Sequence, residues 1–364
     1  MVTAPLWPMR DADARGSRRS GAVGPAAPRL RWTSDAGGGF SAFSEPLVTA
    51  DGRIVLAGSG RTAGTVVLGP EGAVLQALPG MGAAEVAPVL LTVAGQEVLV
   101  TSAEEPLLVA VAMAGLGAGR RWTRELAHRP EFLRGTPGGD VLVFSREDRF
   151  LCVSRHGAPK WGALQDLTGT KGAGFAAFDG QGHCYTAESA IVFQRGREVT
   201  WQSGVSVLAP AGEELFSELF EPTDGADLNA IQHVWGLDVG AVLFGRDVRC
   251  LEPSGTTRWA ISRAEEFAGT VRVEGTALLL GWDPRLVGGP RLVQLHDGGF
   301  RYLAATVDAE GNAYACDGRT VFSLDRDGRS RWTFALPEAA VGGPVVAASG
   351  ALLIRGAGTL YALG

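Results

Sequence analysis

A small unit that recurs along the whole chain sets the limit on what it can fold into. Its clearest copy is Gly311-Asn-Ala-Tyr-Ala-Cys-Asp-Gly-Arg-Thr-Val-Phe-Ser-Leu-Asp-Arg-Asp-Gly-Arg-Ser-Arg-Trp332. Asn312 to Cys316 and Arg319 to Leu324 alternate as short strands do. Asp317-Gly318 between them carries the signal of a two-residue type I′ hairpin, whose central positions both need positive φ. Asp325-Arg-Asp-Gly328 is a second turn, and Arg329 to Trp332 opens a third strand. A meander this small cannot bury its apolar face alone, so it needs copies of itself.

The copies are present. Arg149-Phe-Leu-Cys-Val-Ser-Arg-His-Gly157 runs into Trp161, and Asp247-Val-Arg-Cys-Leu-Glu-Pro-Ser-Gly255 runs into Trp259. Gly182-His-Cys-Tyr185 repeats the Gly311-Asn-Ala-Tyr314 step, in a unit ending at Trp201. A looser copy from Val98 to Val111 ends at Trp122. Two copies lack the Trp: Thr65 to Gly72 before Gln76, and Leu292 to Gly298 before Phe300. Unit ends near positions 32, 76, 122, 161, 201, 259, 300 and 332 give a mean period of about 43 residues, the range of four-stranded propeller blades. Pro344-Val-Val, Leu353-Ile354 and Thr359 to Leu363 supply three strands of a last unit, and Pro28-Arg-Leu-Arg-Trp32 supplies its fourth. Pairing the first strand into the last blade hides both free edges. The expected architecture is an all-β, single eight-bladed β-propeller of four-stranded antiparallel blades over residues 28–364, preceded by an extension over 1–27.

The opening Leu6-Trp-Pro-Met, Gly24-Pro and Pro28-Arg-Leu-Arg-Trp32 resemble the start of proteins with PQQ-like β-propeller repeats. So do the Pro344-Val-Val entry, the Asp51-Gly52 turn, the Tyr361-Ala-Leu strand and the Gly328 to Trp332 exit. The resemblance implies the quinoprotein dehydrogenase-like eight-bladed fold. That family holds quinone-cofactor enzymes and also non-catalytic scaffolds such as the outer-membrane barrel-assembly lipoprotein. Its catalytic members bring a calcium-ligating Glu/Asn/Asp set, a Trp platform and often a disulfide of adjacent cysteines. This chain has no Cys-Cys pair, and its tryptophans are mostly repeat residues, Trp235 and Trp282 excepted. Asp308-Ala-Glu-Gly-Asn312 and Asp325-Arg-Asp-Gly328 look calcium-like, since hard cations take several oxygens. Both fall in repeat turns, and neither has the closing Glu of an EF-hand loop.

Other chemistries find little support. The five histidines form no metal-spaced pair, and a zinc site needs three or four convergent ligands. Neither Gly-x-Ser-x-Gly nor His-Glu-x-x-His occurs. Gly115-Leu-Gly-Ala-Gly119 precedes the strand Arg120-Arg-Trp122 and not a helix, so it is a blade turn and not a dinucleotide loop. Catalytic residues, a cofactor and a metal are therefore not expected. The four cysteines fill small-residue strand positions, with Cys152 and Cys250 standing where the clearest copy has Ser323, and are expected as reduced core thiols. A net charge of −6 gives no basic field for nucleic acid. No apolar run approaches the ~18 residues of a membrane helix, so no membrane insertion is expected. With no apolar signal region at the N-terminus, a cytoplasmic location is expected, or a periplasmic one after signal-peptide removal.

Function is then expected from protein-protein contact, within a larger complex, through rim loops or the central funnel; the alternative is a small ligand or quinone cofactor in the funnel. Residues 1–27 form a coil lying across the propeller, with Trp7 as anchor, or an arm for a partner. The longest blade runs from Val205 to Trp259, its excess lying in Pro210 to Pro222 and Thr223 to Asn229. Leu215, Phe216, Leu219 and Phe220 recur at i, i+1, i+4 and i+5, the pattern of one side of a short helix, with Glu213, Glu214, Glu218 and Glu221 opposite. Inserted loops are where rigid scaffolds bind. The candidate partner contacts are Glu213, Glu214, Phe216, Glu218, Phe220, Glu221 and Trp235.

Overall fold

The computed structural model describes residues 8–9, 12–16, 19–38, 40–60, 64–83, 86–103, 105–114, 120–145, 149–163, 170–193, 199–219, 223–224, 233–244, 248–261, 270–273, 277–280, 291–293, 305–326 and 329–364. Among these there is no helix. The chain divides into two compact units. One comprises Met1–Asp13, Ser17–Arg121 and Glu266–Gly364; the other comprises Ala14–Gly16 and Trp122–Glu265.

The strands form consecutive antiparallel meanders. After β1 (Leu30–Ser34) come β2 (Phe40–Phe43), β3 (Leu47–Val48), β4 (Ile54–Gly60), β5 (Gly64–Leu68) and β6 (Val74–Pro79). Here β2, β4, β5 and β6 are neighbours in that order, and β3 also pairs with β4. β7 (Val89–Val93), β8 (Gln96–Ser102), β9 (Leu107–Ala112) and β10 (Arg120–Glu125) make the next four-stranded sheet. It is followed by β11 (Phe132–Gly135), β12 (Val141–Ser145), β13 (Arg149–Val153) and β14 (Pro159–Ala163). β15 (Thr170–Phe178), β16 (Cys184–Phe193), β17 (Val199–Leu208) and β18 (Glu214–Leu219) form a sheet that β19 (Thr223–Asp224) joins by pairing with β17.

The order continues with β20 (His233–Gly236), β21 (Ala241–Phe244), β22 (Val248–Leu251) and β23 (Thr257–Ile261). β24 (Thr270–Val273), β25 (Ala277–Leu280) and β26 (Arg291–Val293) pair in the order β25–β24–β26. β27 (Thr306–Val307), β28 (Ala313–Asp317), β29 (Thr320–Leu324) and β30 (Ser330–Ala335) form another sheet. Finally β31 (Val345–Val346), β32 (Leu352–Arg355) and β33 (Leu360–Leu363) take β1 as their fourth strand. The first strand thus sits beside the last, with Trp32 opposite Ala362 and Ser34 opposite Leu360.

One turn recurs throughout. Ser154 N–H donates to Ala158 O at 2.7 Å and Gly157 N–H returns to Ser154 O at 2.9 Å. The same pair of bonds closes Ala209 to Glu213 and Glu252 to Thr256 around Gly212 and Gly255. Gly212 and Gly255 lie at φ of +93° and +81°, a region that a Cβ disfavours. Four fourth strands lay an aromatic ring on a turn glycine of the next sheet. Trp122 covers Gly157, Trp161 covers Gly212, Phe216 covers Gly255, and Trp32 covers Gly72. A Cβ on any of these glycines would meet the ring.

Period-two alternation feeds both faces of the sheets. In the last sheet Val345, Leu353, Leu360 and Ala362 pack with Phe43, Ile54, Leu56, Val66 and Leu68. The alternate residues Val346, Leu352, Ile354, Tyr361 and Leu363 pack with Tyr314, Cys316, Val321 and Trp332. Leu47, Val55 and Val67 in turn meet Leu90, Leu99 and Met113. In the second unit Leu142, Phe144 and Phe150 pack on Ala176, Phe178, Cys184 and Leu208, and the opposite face, Tyr185, Ala187, Val205 and Val207, on Val234, Leu243 and Leu251. Within each unit these sheets therefore pack face to face on apolar inner strands. Fourth strands alternate exposed and half-buried residues instead, as in β6, β10 and β18.

Three sequence expectations need correction. The short helix over 210–222 is β18, because the Gly212 turn delivers the chain straight into a strand paired with β17 from Gly204–Leu219 to Leu208–Glu214. Trp201 does not end a unit: it lies within β17, opposite Ile191 and Thr223, and its sheet ends at Phe216, opposite Val207. The excess length of this region is the β16–β17 hairpin, paired from Cys184–Leu208 out to Phe193–Val199. The hairpin after β28 is Gly318-Arg319, flanked by the Asp317–Thr320 pair, and of its residues only Gly318 has positive φ, +54°, so it is not the type I′ turn that Asp317-Gly318 signalled. Trp7, Trp282 and Phe300 lie outside the described residues.

Candidate interaction surface

The outward face of β18 follows from strand alternation. Phe216 and Glu218 share one face, and Leu215, Ser217 and Leu219 the other, while a register shift opposite Val207 and Leu208 takes Glu214 out of that alternation. Phe216 is spent on Gly255, and Glu218 stands 3.9 Å from Arg249 of the following sheet. That face is used for packing within the unit. The opposite face is open: Leu215 is 46% and Leu219 52% exposed. Glu213 and Glu214 are exposed at the start of the strand.

The expected contact set therefore divides. Glu213, Glu214 and Glu218 stand together along β18, whereas Phe216 belongs to sheet packing. Trp235 lies on β20, only 2% exposed, so its ring is core and not a contact surface. Phe220 and Glu221 lie outside the described residues. Leu215 and Leu219, expected on one side of a short helix, face solvent from a strand. A signal for this exists in the repeat. The residue before the exit aromatic is Arg31, Arg121, Lys160, Arg258 or Arg331, but Leu75 before Gln76 and Leu215 before Phe216. Leu75 is 53% exposed on β6, where Gln76 faces Val67 as Phe216 faces Val207.

The oxygen-rich turn at Asp308 is a structural node. Asp308 is fully buried. Its Oδ1 accepts from Glu310 N (3.0 Å) and Asn312 N (2.8 Å), and its Oδ2 from Gly24 N (3.0 Å), Asn312 Nδ2 (3.0 Å) and Tyr314 Oη (2.9 Å). Burial opposes the charge, but these bonds from Asn312, Gly24 and Tyr314 outweigh it and hold the carboxyl below the usual range. Asp179 repeats the arrangement, taking Gln181 N and His183 N on Oδ1 and His183 Nδ1 and Gly240 N on Oδ2. Carboxylates whose lone pairs are filled by their own chain have little left for a cation.

All four cysteines are buried and none is in a disulfide. Burial pushes the Cys152 thiol up to about 12. Cys152 and Cys250 face Trp161 and Trp259 across the strand pair, and Ser323 faces Trp332 likewise, which places both thiols in the small-residue position read from the repeat. No group of three or more metal-ligating side chains occurs among the described residues, and no helix there is long and apolar enough to cross a membrane.

No protein-family model matches the chain, and no curated protein matches its sequence. Solved structures do match in fold. The quinohemoprotein alcohol dehydrogenase of Comamonas testosteroni aligns at TM-score 0.65 and 11% identity, over 100% of this chain and 81% of the enzyme. BamB of Moraxella catarrhalis aligns at 0.56 and 13%, over 93% of this chain and 97% of that one. The Cps50 (Swd1) propeller domain of Myceliophteria thermophila aligns at 0.52 and 10%, over 92% and 99%. Identities this low speak to fold alone. Together with consecutive, mostly four-stranded antiparallel sheets, they establish the fold of this chain as a β-propeller.

Proposed function

We propose that this chain is a non-catalytic protein-interaction scaffold, an eight-bladed ring closed where β1 pairs with β33, that takes a protein partner through the β18 surface. The observation that carries the reading is the pair of leucines, Leu215 and Leu219, roughly half exposed on the outermost strand of a rigid sheet. Beside them stand Glu213 and Glu214, exposed. An apolar strip edged by carboxylates fits a partner that offers apolar side chains flanked by Lys or Arg, the charges guiding encounter and the leucines supplying burial. The test is affinity capture from native-host lysate with wild type and a Leu215→Ser/Leu219→Ser variant. Loss of the captured partner from the variant alone supports the reading. Equal capture by both removes β18 from the interface.

The competing reading is a quinone oxidoreductase, in keeping with the dehydrogenase that shares the fold. The described residues do not fit such a group. The calcium-like turn at Asp308 is filled by its own chain, Trp235 is core, and the described exit tryptophans Trp32, Trp122 and Trp161 cover turn glycines. A thermal-shift titration with pyrroloquinoline quinone and calcium separates the two readings, because a ligand of the native state raises the melting point. The scaffold reading expects no shift at saturation.

A further inference from the structure

The first strands of the sheets β27–β30 and β31–β33 are short, two residues each, and the chain's own N-terminal segment lies along them. Arg19 forms a parallel bridge with Val307. Ser20 N–H donates to Val307 O at 2.8 Å, and Ala309 N–H donates back to Ala22 O at 3.0 Å. Ser20 Oγ donates to Val346 O at 3.2 Å, which ties the segment to the second sheet. Gly24 N–H then reaches Asp308 Oδ2, and Trp332 Nε1–H donates to Pro25 O at 3.1 Å. Backbone bonds give such a groove its affinity, and pockets for alternate positions give it specificity.

The specificity elements can be named. Ser20 is 4% exposed and bonded by its hydroxyl. Gly24 lies against the Tyr314 ring so closely that a Cβ there would stand 2.5 Å from Tyr314 Oη, so the position admits glycine only. The Pro25 carbonyl is read by the Trp332 indole. Val23, by contrast, is 44% exposed and is not read. We propose that the edge formed by Val307, Asp308, Ala309, Val346 and the rings of Tyr314 and Trp332 is a peptide-binding site for an extended Ser-x-x-x-Gly-Pro segment, filled in this structure by residues 19–25 as an exchangeable intramolecular ligand. It does not depend on the β18 surface.

Ala26 and Ala27, which follow the segment, are exposed, so a protease recognition sequence between them in the full chain allows cutting after folding. The probe is a fluorescent peptide of residues 19–26, followed by anisotropy on the cut protein. Saturable uptake of this peptide, with the Gly24→Val peptide at least about tenfold weaker, is the expected result. No uptake, or equal uptake of both peptides, overturns the proposal. Hydrogen exchange on the uncut, unmodified chain gives a second reading. The Ala309 amide is protected like a strand interior if the segment is seated, and exchange at the rate of an open loop overturns the assignment. A dimer of the uncut chain on gel filtration, formed by reciprocal exchange of the segment, would assign the site to a second copy and overturn the intramolecular one.

Discussion

Gly255 and Phe216 show how much a single repeat position carries. The glycine sits at φ +81° and its missing Cβ is the space the Phe216 ring fills. Gly255→Ala is expected to cost about 2–4 kcal/mol, from left-handed strain and a displaced ring together, read by urea denaturation. Phe216→Trp is expected to be nearly neutral, since Trp161 makes the same contact on Gly212. Asp308 gives a pH dependence. Its carboxyl is held below the unfolded value of about 3.9, so it contributes stability that is fully present above that pH and is lost as pH falls through the folded value. The slope of unfolding free energy against pH below about 3.9 should be shallower in Asp308→Asn than in the wild type; equal slopes would show that the node does not bind its charge. The four buried thiols should resist a thiol-reactive chromogen until the chain unfolds. Cys152 and Cys250 were legible because their spacing to the turn glycine matched that of Ser323. Trp235 was not, because departing from the repeat says that a residue is different and not which way its ring points.

At the scale of the element, β18 explains where sequence reasoning went astray. Apolar residues at i, i+1, i+4 and i+5 satisfy a helical stripe, yet six residues is too short a window for periodicity to separate a helix from a strand. Propensity did not decide it either, since Glu and Leu favour helices. What decided it was tertiary: β17 offers an open edge, the Gly212 turn aims the chain along it, and Phe216 locks onto Gly255. The better guide was the repeat itself, because the Pro210-Ala-Gly212 turn matches Pro253-Ser-Gly255 in the following sheet, and both precede an exit strand. The two ways of removing the surface therefore differ sharply. Leu215→Ser/Leu219→Ser should leave stability within about 0.5 kcal/mol, since both side chains are half exposed. Deleting residues 211–228 takes out β18 and β19 and uncovers Gly255, so thermal unfolding followed by circular dichroism should lose its single cooperative transition. A deletion variant that melts as the wild type does would mean that β18 is an appendage and not a blade strand.

For the whole molecule, the all-β, propeller nature of the chain was legible because a period of about 43 residues is stated many times over, and an error in one copy, such as Trp201, is outvoted by the rest. The strand pairing of Trp32 with Ala362 was legible for the same reason, since the last unit lacked a fourth strand and the first residues supplied one. That pairing joins residues more than three hundred positions apart, so it forms only after long loop closure, and its loss should be felt by everything it completes. Trp32 packs on the core shared by Leu56, Val66, Val345 and Leu353 and on Gly72. Trp32→Ala is expected to cost about 3 kcal/mol, the lower end for a large aromatic because the ring is half-buried. Trp161→Ala, in the other unit, should cost about the same. The proposed closed ring adds a sharper requirement: both variants must shift one and the same urea transition, monitored by fluorescence and by circular dichroism. Two transitions, with Trp32→Ala moving one and Trp161→Ala the other, would mean that the two units unfold independently and that the β1–β33 pairing closes a sheet without closing a ring.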